Sequence, residues 1–286
     1  MNTNFISVLM LQLEITEGSN TTDEYIIENS SYGLQMNTSY DLISKLSPDV
    51  VVYPEMCYVP TNYERLRELS KNRIIIAGSL YECGVNNTIV FADGNMSKII
   101  KRYSSGAEPM SRKTRYIDPS DFVEKYLNEH IFKVKNQKIC ILNCMEYYHV
   151  AYLIARNQEI CTNLFAIVSP SSTNNISVFE QETMAMHNHN EYIYSFVANC
   201  VSTYNNKKYA TGESYVYGPL HKHEREWLKQ EGIPSSNHVS SIAKLESSAS
   251  YLYGEFATSN RLSRFGRSDF YETNPQNIVI GNLIKK

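Results

Sequence analysis

Residues 138–146 read Lys-Ile-Cys-Ile-Leu-Asn-Cys-Met-Glu, an apolar run that closes on the thiol of Cys144 with the carboxyl of Glu146 two positions on. Five to seven residues of this kind between polar flanks have the length of a buried strand. The stretch near 146–156 behind it carries apolar residues at helical spacing. A strand that ends on a reactive group just before a helix belongs to a layered α/β sheet, in which functional groups gather at the carboxyl ends of strands. Working outward, strands are expected at 131–135 and 164–168, a helix at 118–129 starting near Pro119, and a long helix at 177–194 followed by a strand at 195–200. On the N-terminal side "FISVLMLQL" (5–13), "DVVVYPE" (49–55) and "RIIIAGSLY" (73–81) read as strands, and "TSYDLISKL" (38–46) and "NYERLRELSKN" (62–72) as helices. Asp93-Gly94 between "TIVFA" and "MSKIIKRYS" marks a tight hairpin, because Gly accepts the positive φ such a turn requires. Asn205-Asn206 suggests a second hairpin, "HKHEREWLKQEG" a helix stopped at Gly232, and "HVSSIAKL" (238–245) a strand. Residues 17–35 are the most polar stretch, read as loop or frayed helix start. Helices interleave with strands, yet several strand pairs are hairpins, so the sheet should be mixed.

Two further strings resemble 138–146 in ending a strand on a reactive group: "VVVYPE" on Glu55 and "KIIKRYS" through Lys101. A thiol, a carboxylate and an ammonium form a sufficient set for acyl transfer. The carboxylate takes the thiol proton, the thiolate attacks, and the ammonium holds the oxyanion. Each residue alone has a plainer reading: Cys144 and Cys140 as small buried hydrophobes, Lys101 as a solvated strand residue, Glu55 as a cap. A thiol–imidazole pair of Cys144 with His149 is a further alternative, though both sit on one local element.

Composition removes other classes. In 286 residues, 42% are hydrophobic and 20% charged, too apolar for a disordered chain, and Lys plus Arg (27) against Asp plus Glu (30) leaves a formal charge of −3. No basic footprint for nucleic acid exists, so the 22 Tyr read as core and pocket residues and not as base-stacking platforms. Mean hydropathy is −0.37 and no apolar run reaches membrane-span length, so no membrane partner is expected. The N-terminal apolar piece lacks a basic flank and a cleavage site, and reads as a strand and not a signal peptide. The six Cys show no C-x-x-C pair, which points to free thiols in the cytoplasm. His187 and His189, and His221 and His223, fall in expected helices, where i and i+2 diverge, so no metal site is expected.

Together these strings resemble the nitrilase, or carbon–nitrogen hydrolase, superfamily over almost the whole chain. "SVLMLQL" matches its opening strand, "PDVVVYPE" the segment with the general base Glu55, and "GNMSKIIKRYSSGAEP" the hairpin strand with the lysine Lys101 and, seven residues later, the additional Glu108. "KICILNCME" matches the strand and turn of the nucleophile Cys144. "LFAIVSPSS", the stretch from Asn199 to Gly212-x-Ser214, "VSSIAKL" and "RFGRSDFY" match later segments in order. Two departures are visible. "HNHNEY", with His187 and Asn190, replaces a helix that often carries Arg and Glu-Asn, and Met145 replaces the Trp or Tyr that often follows the nucleophile.

The resemblance implies a four-layer α-β-β-α sandwich forming one domain over 1–286, with the segment from about 250 to 286 packing on a partner subunit of a homodimer or larger homo-oligomer. It implies an amidase-like hydrolase of a small-molecule linear amide or N-carbamoyl compound, with water as second substrate and no cofactor. The reaction would run through a thioester on Cys144, with Glu55, Lys101 and the N–H of Met145 assisting. Glu108, Tyr147, Tyr148 and Ser169 are expected to line the substrate pocket. An acyltransferase with the same thioester, a nitrilase and a degenerate interaction protein are the alternatives.

Overall fold

Side-chain alternation along the strands decides the layering of this chain. A computed structural model describes residues 5–17, 31–82, 84–103, 117–157, 164–169, 173–188, 193–204, 207–218, 230, 232, 241–257 and 276–284. Seven strands form the first sheet, in the order β16 (Gln276–Asn282), β15 (Ser250–Ala257), β1 (Phe5–Gln12), β3 (Val50–Val52), β4 (Ile74–Glu82), β5 (Val85–Ala92) and β6 (Asn95–Ile100). Six form the second, in the order β14 (Ser241–Lys244), β13 (Tyr215–Tyr217), β10 (Tyr194–Asn199), β9 (Leu164–Ser169), β8 (Gln137–Asn143) and β7 (Ile131–Val134). A small third sheet joins β12 (Lys207–Thr211), β11 (Val201–Tyr204) and β2 (Glu14–Glu17). Each large sheet has a parallel centre, β1-β3-β4 in one and β8-β9-β10 in the other, with antiparallel strands outside, which is the expected mixed arrangement.

Alternate residues of both sheets meet in one buried cluster: Val8 and Met10, Val50 and Val52, Ile74 and Ile76 from the first, Ile139 and Ile141, Ala166 and Val168, Phe196 and Ala198 from the second. The intervening residues face outward. On the first sheet, Leu9, Leu11, Val51 and Ile75 pack against Met36, Tyr40 and Ile43 of α1 (Tyr32–Leu46) and Leu66 of α2 (Tyr63–Leu69). On the second, Cys140, Leu142, Phe165 and Ile167 pack against α5 (Met145–Arg156) and α6 (Thr173–Asn188), with Phe122 of α3 (Pro119–Lys125) and Leu127 of α4 (Leu127–His130). The layers are therefore α-β-β-α, the expected sandwich. Period-2 burial on both faces is why these strands read as continuous apolar runs.

Local chemistry fixes several boundaries. Asp93 (φ 50) and Gly94 (φ 75) turn the β5–β6 hairpin, with Ala92 opposite Asn95. Asp118 accepts the N–H of Ser120 at 2.8 Å and Pro119 occupies the first turn of α3. Helix α1 begins at Tyr32, ahead of the expected start near Thr38; Gln35, a polar residue on its buried face, interrupts the apolar pattern there and bonds the N–H (2.8 Å) and C=O (2.9 Å) of Glu14. Helix α6 is shifted toward the N-terminus of the expected span, since Ile193 and Tyr194 already face opposite sides of the sheet. The expected helix at 221–232 lies outside the described residues save for Gln230 and Gly232. The described parts of the segment expected on a partner subunit, β15 and β16, pair within this chain's own sheet. Among the described residues, no helix is long and apolar enough to cross a membrane.

Candidate active site

The inner faces of the strands change character at one end of the sandwich. Along β5, Val90 lies in the inter-sheet core, and Thr88 and Asn86, two and four residues earlier on the same face, are polar and buried. Along β6, inward Ile99 is followed by Lys101 just beyond the strand. Along β8, Ile139 and Ile141 are followed by Asn143. These polar ends meet. The Lys101 ammonium donates to Glu55 Oε1 at 3.0 Å, with both side chains 1% exposed. The Asn86 amide donates to the same oxygen at 2.7 Å, and Asn143 donates to Thr88 Oγ1 at 3.0 Å, joining the two sheets. Asn86 also accepts the Lys101 N–H on its carbonyl at 2.9 Å, so one residue holds both members of the ion pair.

Glu55 is fixed by backbone geometry. It follows β3 and Pro54, and Met56 after it has φ 63, with its N–H donating to Ser79 Oγ at 3.1 Å. Gly78 (φ 95) lies beneath this turn, and a Cβ there would sit 2.3 Å from the Pro54 carbonyl oxygen. Only Gly permits that approach.

Cys144 stands between β8 and α5 with φ 44 and ψ −105, a strained conformation for a residue with a side chain. Its N–H donates to the Val168 carbonyl at 2.8 Å, and Tyr147 N–H donates to its carbonyl at 3.1 Å. The thiol lies at the N-terminus of a 12-residue helix, where the dipole and unpaired N–H groups favour a thiolate. Ser169, the last residue of β9, donates its hydroxyl to Cys144 Sγ at 3.7 Å. Met145 N–H is the first of the helix and has no carbonyl partner within it.

Glu146, which the sequence reading placed in no site, links these parts. It is 1% exposed, accepts the N–H of Arg102 on Oε1 at 2.7 Å and the N–H of Asn143 on Oε2 at 2.9 Å. Arg102 follows Lys101 and Asn143 precedes Cys144, so one carboxyl bridges the two strands that carry them. Burial pushes its pKa up to about 7, against the backbone hydrogen bonds and the nearby Lys101 and Arg102 charges, which lower it. The sequence signal for Glu146 was its place two residues after Cys144; Asn86 had none.

Of the two α5 tyrosines expected at the pocket, one is buried and one exposed. Tyr147 is fully buried on the sheet-facing side of α5, its hydroxyl 2.7 Å from both Thr183 Oγ1 and Ser195 Oγ, so it belongs to the outer core. Tyr148, one residue on, is 46% exposed. Both follow from α5 starting at Met145: helical rotation turns Glu146, Tyr147, Val150 and Ala151 inward and Tyr148 away. His149 stacks on Tyr103 at 4.6 Å, and burial holds its pKa below the usual imidazole range. Glu108 and the histidines His189, His221 and His223 lie outside the described residues.

No family model matches the sequence, and no curated protein matches it. Solved structures do. Nit3 of Saccharomyces cerevisiae, a member of branch 10 of the nitrilase superfamily, superposes with a TM-score of 0.59 at 16% identity, covering 92% of this chain and 94% of that one. A CN-hydrolase superfamily protein of Xanthomonas campestris, with an arsenic adduct in its active site, gives 0.55 at 13% identity, covering 94% and 96%. A mutant amidase from Nesterenkonia sp., showing covalent addition of the acetamide moiety of fluoroacetamide at its active-site cysteine, gives 0.56 at 13% identity, covering 93% and 95%. The chain has the nitrilase-superfamily fold over nearly its full length.

Proposed function

We propose that this chain is an amidase-like hydrolase of non-peptide C–N bonds, acting on a small linear amide or N-carbamoyl compound. The observation that carries the reading is the buried Lys101–Glu55 pair, tied through Arg102 and Glu146 to a strained cysteine at a helix N-terminus. An ion pair withdrawn from water costs folding free energy, and its retention is most economically explained by chemistry. The likeness to an amidase modified on its active-site cysteine agrees in fold.

In this reading Glu55 takes the Cys144 proton and the sulfur attacks the amide carbonyl carbon. Lys101 and the Met145 N–H hold the oxyanion, each donor contributing about 3 kcal/mol to the transition state. Glu55 returns the proton to the departing nitrogen, the C–N bond breaks, and a thioester remains. A water deprotonated by Glu55 then releases the carboxylic acid and regenerates the thiol. Ser169 steadies the thiolate, and Glu108 orients the substrate amide or the water. The enzyme is read as a cytoplasmic homo-oligomer without a cofactor.

The test is incubation with a panel of amides and N-carbamoyl compounds, with the Cys144 peptide followed by mass spectrometry. An acyl adduct on Cys144 that decays in water, and complete loss of turnover in Cys144→Ala, are the expected results. Transfer of the acyl group only to an added amine would make the protein an acyltransferase. No adduct with any member of the panel would overturn the enzymatic reading.

A further inference from the structure

We infer that Glu146 is a positioning residue, holding the Lys101 strand end and the Cys144 turn in one frame by accepting a backbone N–H from each on its two oxygens. The inference rests on the catalytic reading of Lys101 and Cys144. Its basis is geometric: the 2.7 Å bond from Arg102 and the 2.9 Å bond from Asn143 are made by the two residues flanking the proposed catalytic pair; the first reaches from the chain just beyond β6 of the first sheet to α5, and the second is local, tying α5 to the end of β8 in the second sheet. Apolar packing between sheets fixes their separation but little of their sliding, whereas two charge-assisted bonds converging on one carboxylate define a register.

The ionised form accepts both N–H groups strongly, whereas protonation makes one oxygen a hydroxyl and a much weaker acceptor. The charged and titratable groups facing Glu146 are Lys101 and Arg102 at the end of β6 and Cys140 of β8, whose thiol is itself pushed up by burial and by Glu146. With the Glu146 pKa raised to about 7 by burial, the frame is complete above neutral pH and loosens as pH falls. The stability effect has the opposite sign. A carboxyl whose folded pKa exceeds its unfolded value stabilises most below about 4.5, and that contribution is lost as pH rises through about 7.

The experiment compares wild type with Glu146→Gln and Glu146→Asp in two readouts. The first is kcat and KM for an amide substrate from pH 5 to 9. The second is the rate at which iodoacetamide alkylates Cys144, resolved by peptide mass, over the same range. Glu146→Gln is expected to lower kcat by about 30- to 100-fold with KM little changed, as misplacement of reacting groups by about 1 Å does. It is also expected to lose the limb near pH 7 from both profiles while melting, at pH 8, within a few degrees of wild type. Glu146→Asp should recover part of kcat. The same limb in Glu146→Gln as in wild type, or a fall in melting temperature that accounts for the lost activity, overturns the inference. If wild type hydrolyses no amide but its alkylation profile changes as described, the positioning role stands and the proposed function falls.

Discussion

Glu55 and Lys101 are each 1% exposed and 3.0 Å apart, so their pairing has thermodynamic consequences beside the catalytic ones proposed for it. Removing one member takes from the other's buried charge the opposite charge it meets at 3.0 Å. Lys101→Met should therefore abolish activity and also destabilise the protein by about 3–5 kcal/mol, whereas the double variant Glu55→Gln/Lys101→Met should be inactive yet regain most of that loss. Urea unfolding of the two single variants and the double variant measures the coupling, and additive losses would show that the pair is not formed. Asn86 extends the argument, since its amide shares Glu55 Oε1 with Lys101. Asn86→Ala is expected to reduce kcat about 10-fold or more through Glu55 orientation, with KM changing less. Kinetics at saturating substrate decide it; an effect confined to KM would contradict the role. At this scale the sequence was partly legible. Glu55, Lys101 and Cys144 each close an apolar run and could be picked out. Asn86 could not, because an Asn in a strand gives no local sign of which carboxyl it meets 31 positions away.

Among the elements, the turn after β3 carries the most information. Pro54-Glu55-Met56 is held from below by Gly78, where an added Cβ would lie 2.3 Å from Pro54 O and where φ is 95. Gly78→Ala should displace Glu55 and cost both stability, by about 1–3 kcal/mol, and most of the activity. A variant that keeps wild-type turnover would show that the turn tolerates the shift. The helix α5 teaches the converse. Proximity to Cys144 places Tyr147 and Tyr148 near the expected pocket, but a helix rotates about 100° per residue, so Tyr147 packs in the core while Tyr148 is 46% exposed. Proximity in sequence specified the element and not the face.

For the whole molecule, two buried titratable groups oppose each other. Burial lowers the His130 pKa to about 4, with Nδ1 2.8 Å from the Ile141 carbonyl oxygen, so its contribution is full above about 6.5 and is lost as pH falls through about 4. Glu146 contributes in the other direction, gaining as pH falls from about 7 to 4.5. From these groups, Glu146→Gln should steepen the acid-side loss of stability, and His130→Leu should leave a rise on mild acidification. Urea midpoints between pH 4.5 and 7.5 read both, and parallel curves for the two variants would contradict the assignment. The inter-sheet core sets the total: Ile141→Ala, at 1% exposure between the sheets, is expected to cost about 2–5 kcal/mol.

By itself the sequence determined most of the elements between β1 and β10, and a mixed sheet in a layered α/β domain; the four-layer sandwich came from the resemblance, and β2, β15 and β16 were not read as strands. Burial period is a local property of a strand, and the Asp93-Gly94 turn carries its own φ requirement, so both could be read in order along the chain. The three reactive residues were legible for the same reason, since strand ends are marked by where apolar runs stop. The tertiary structure alone decided which side chains share one oxygen, that Glu146 bridges the Lys101 strand to the Cys144 turn, and that Tyr147 is core. Those facts depend on the register and separation of two sheets, set by packing between residues far apart in sequence, and no local pattern encodes them.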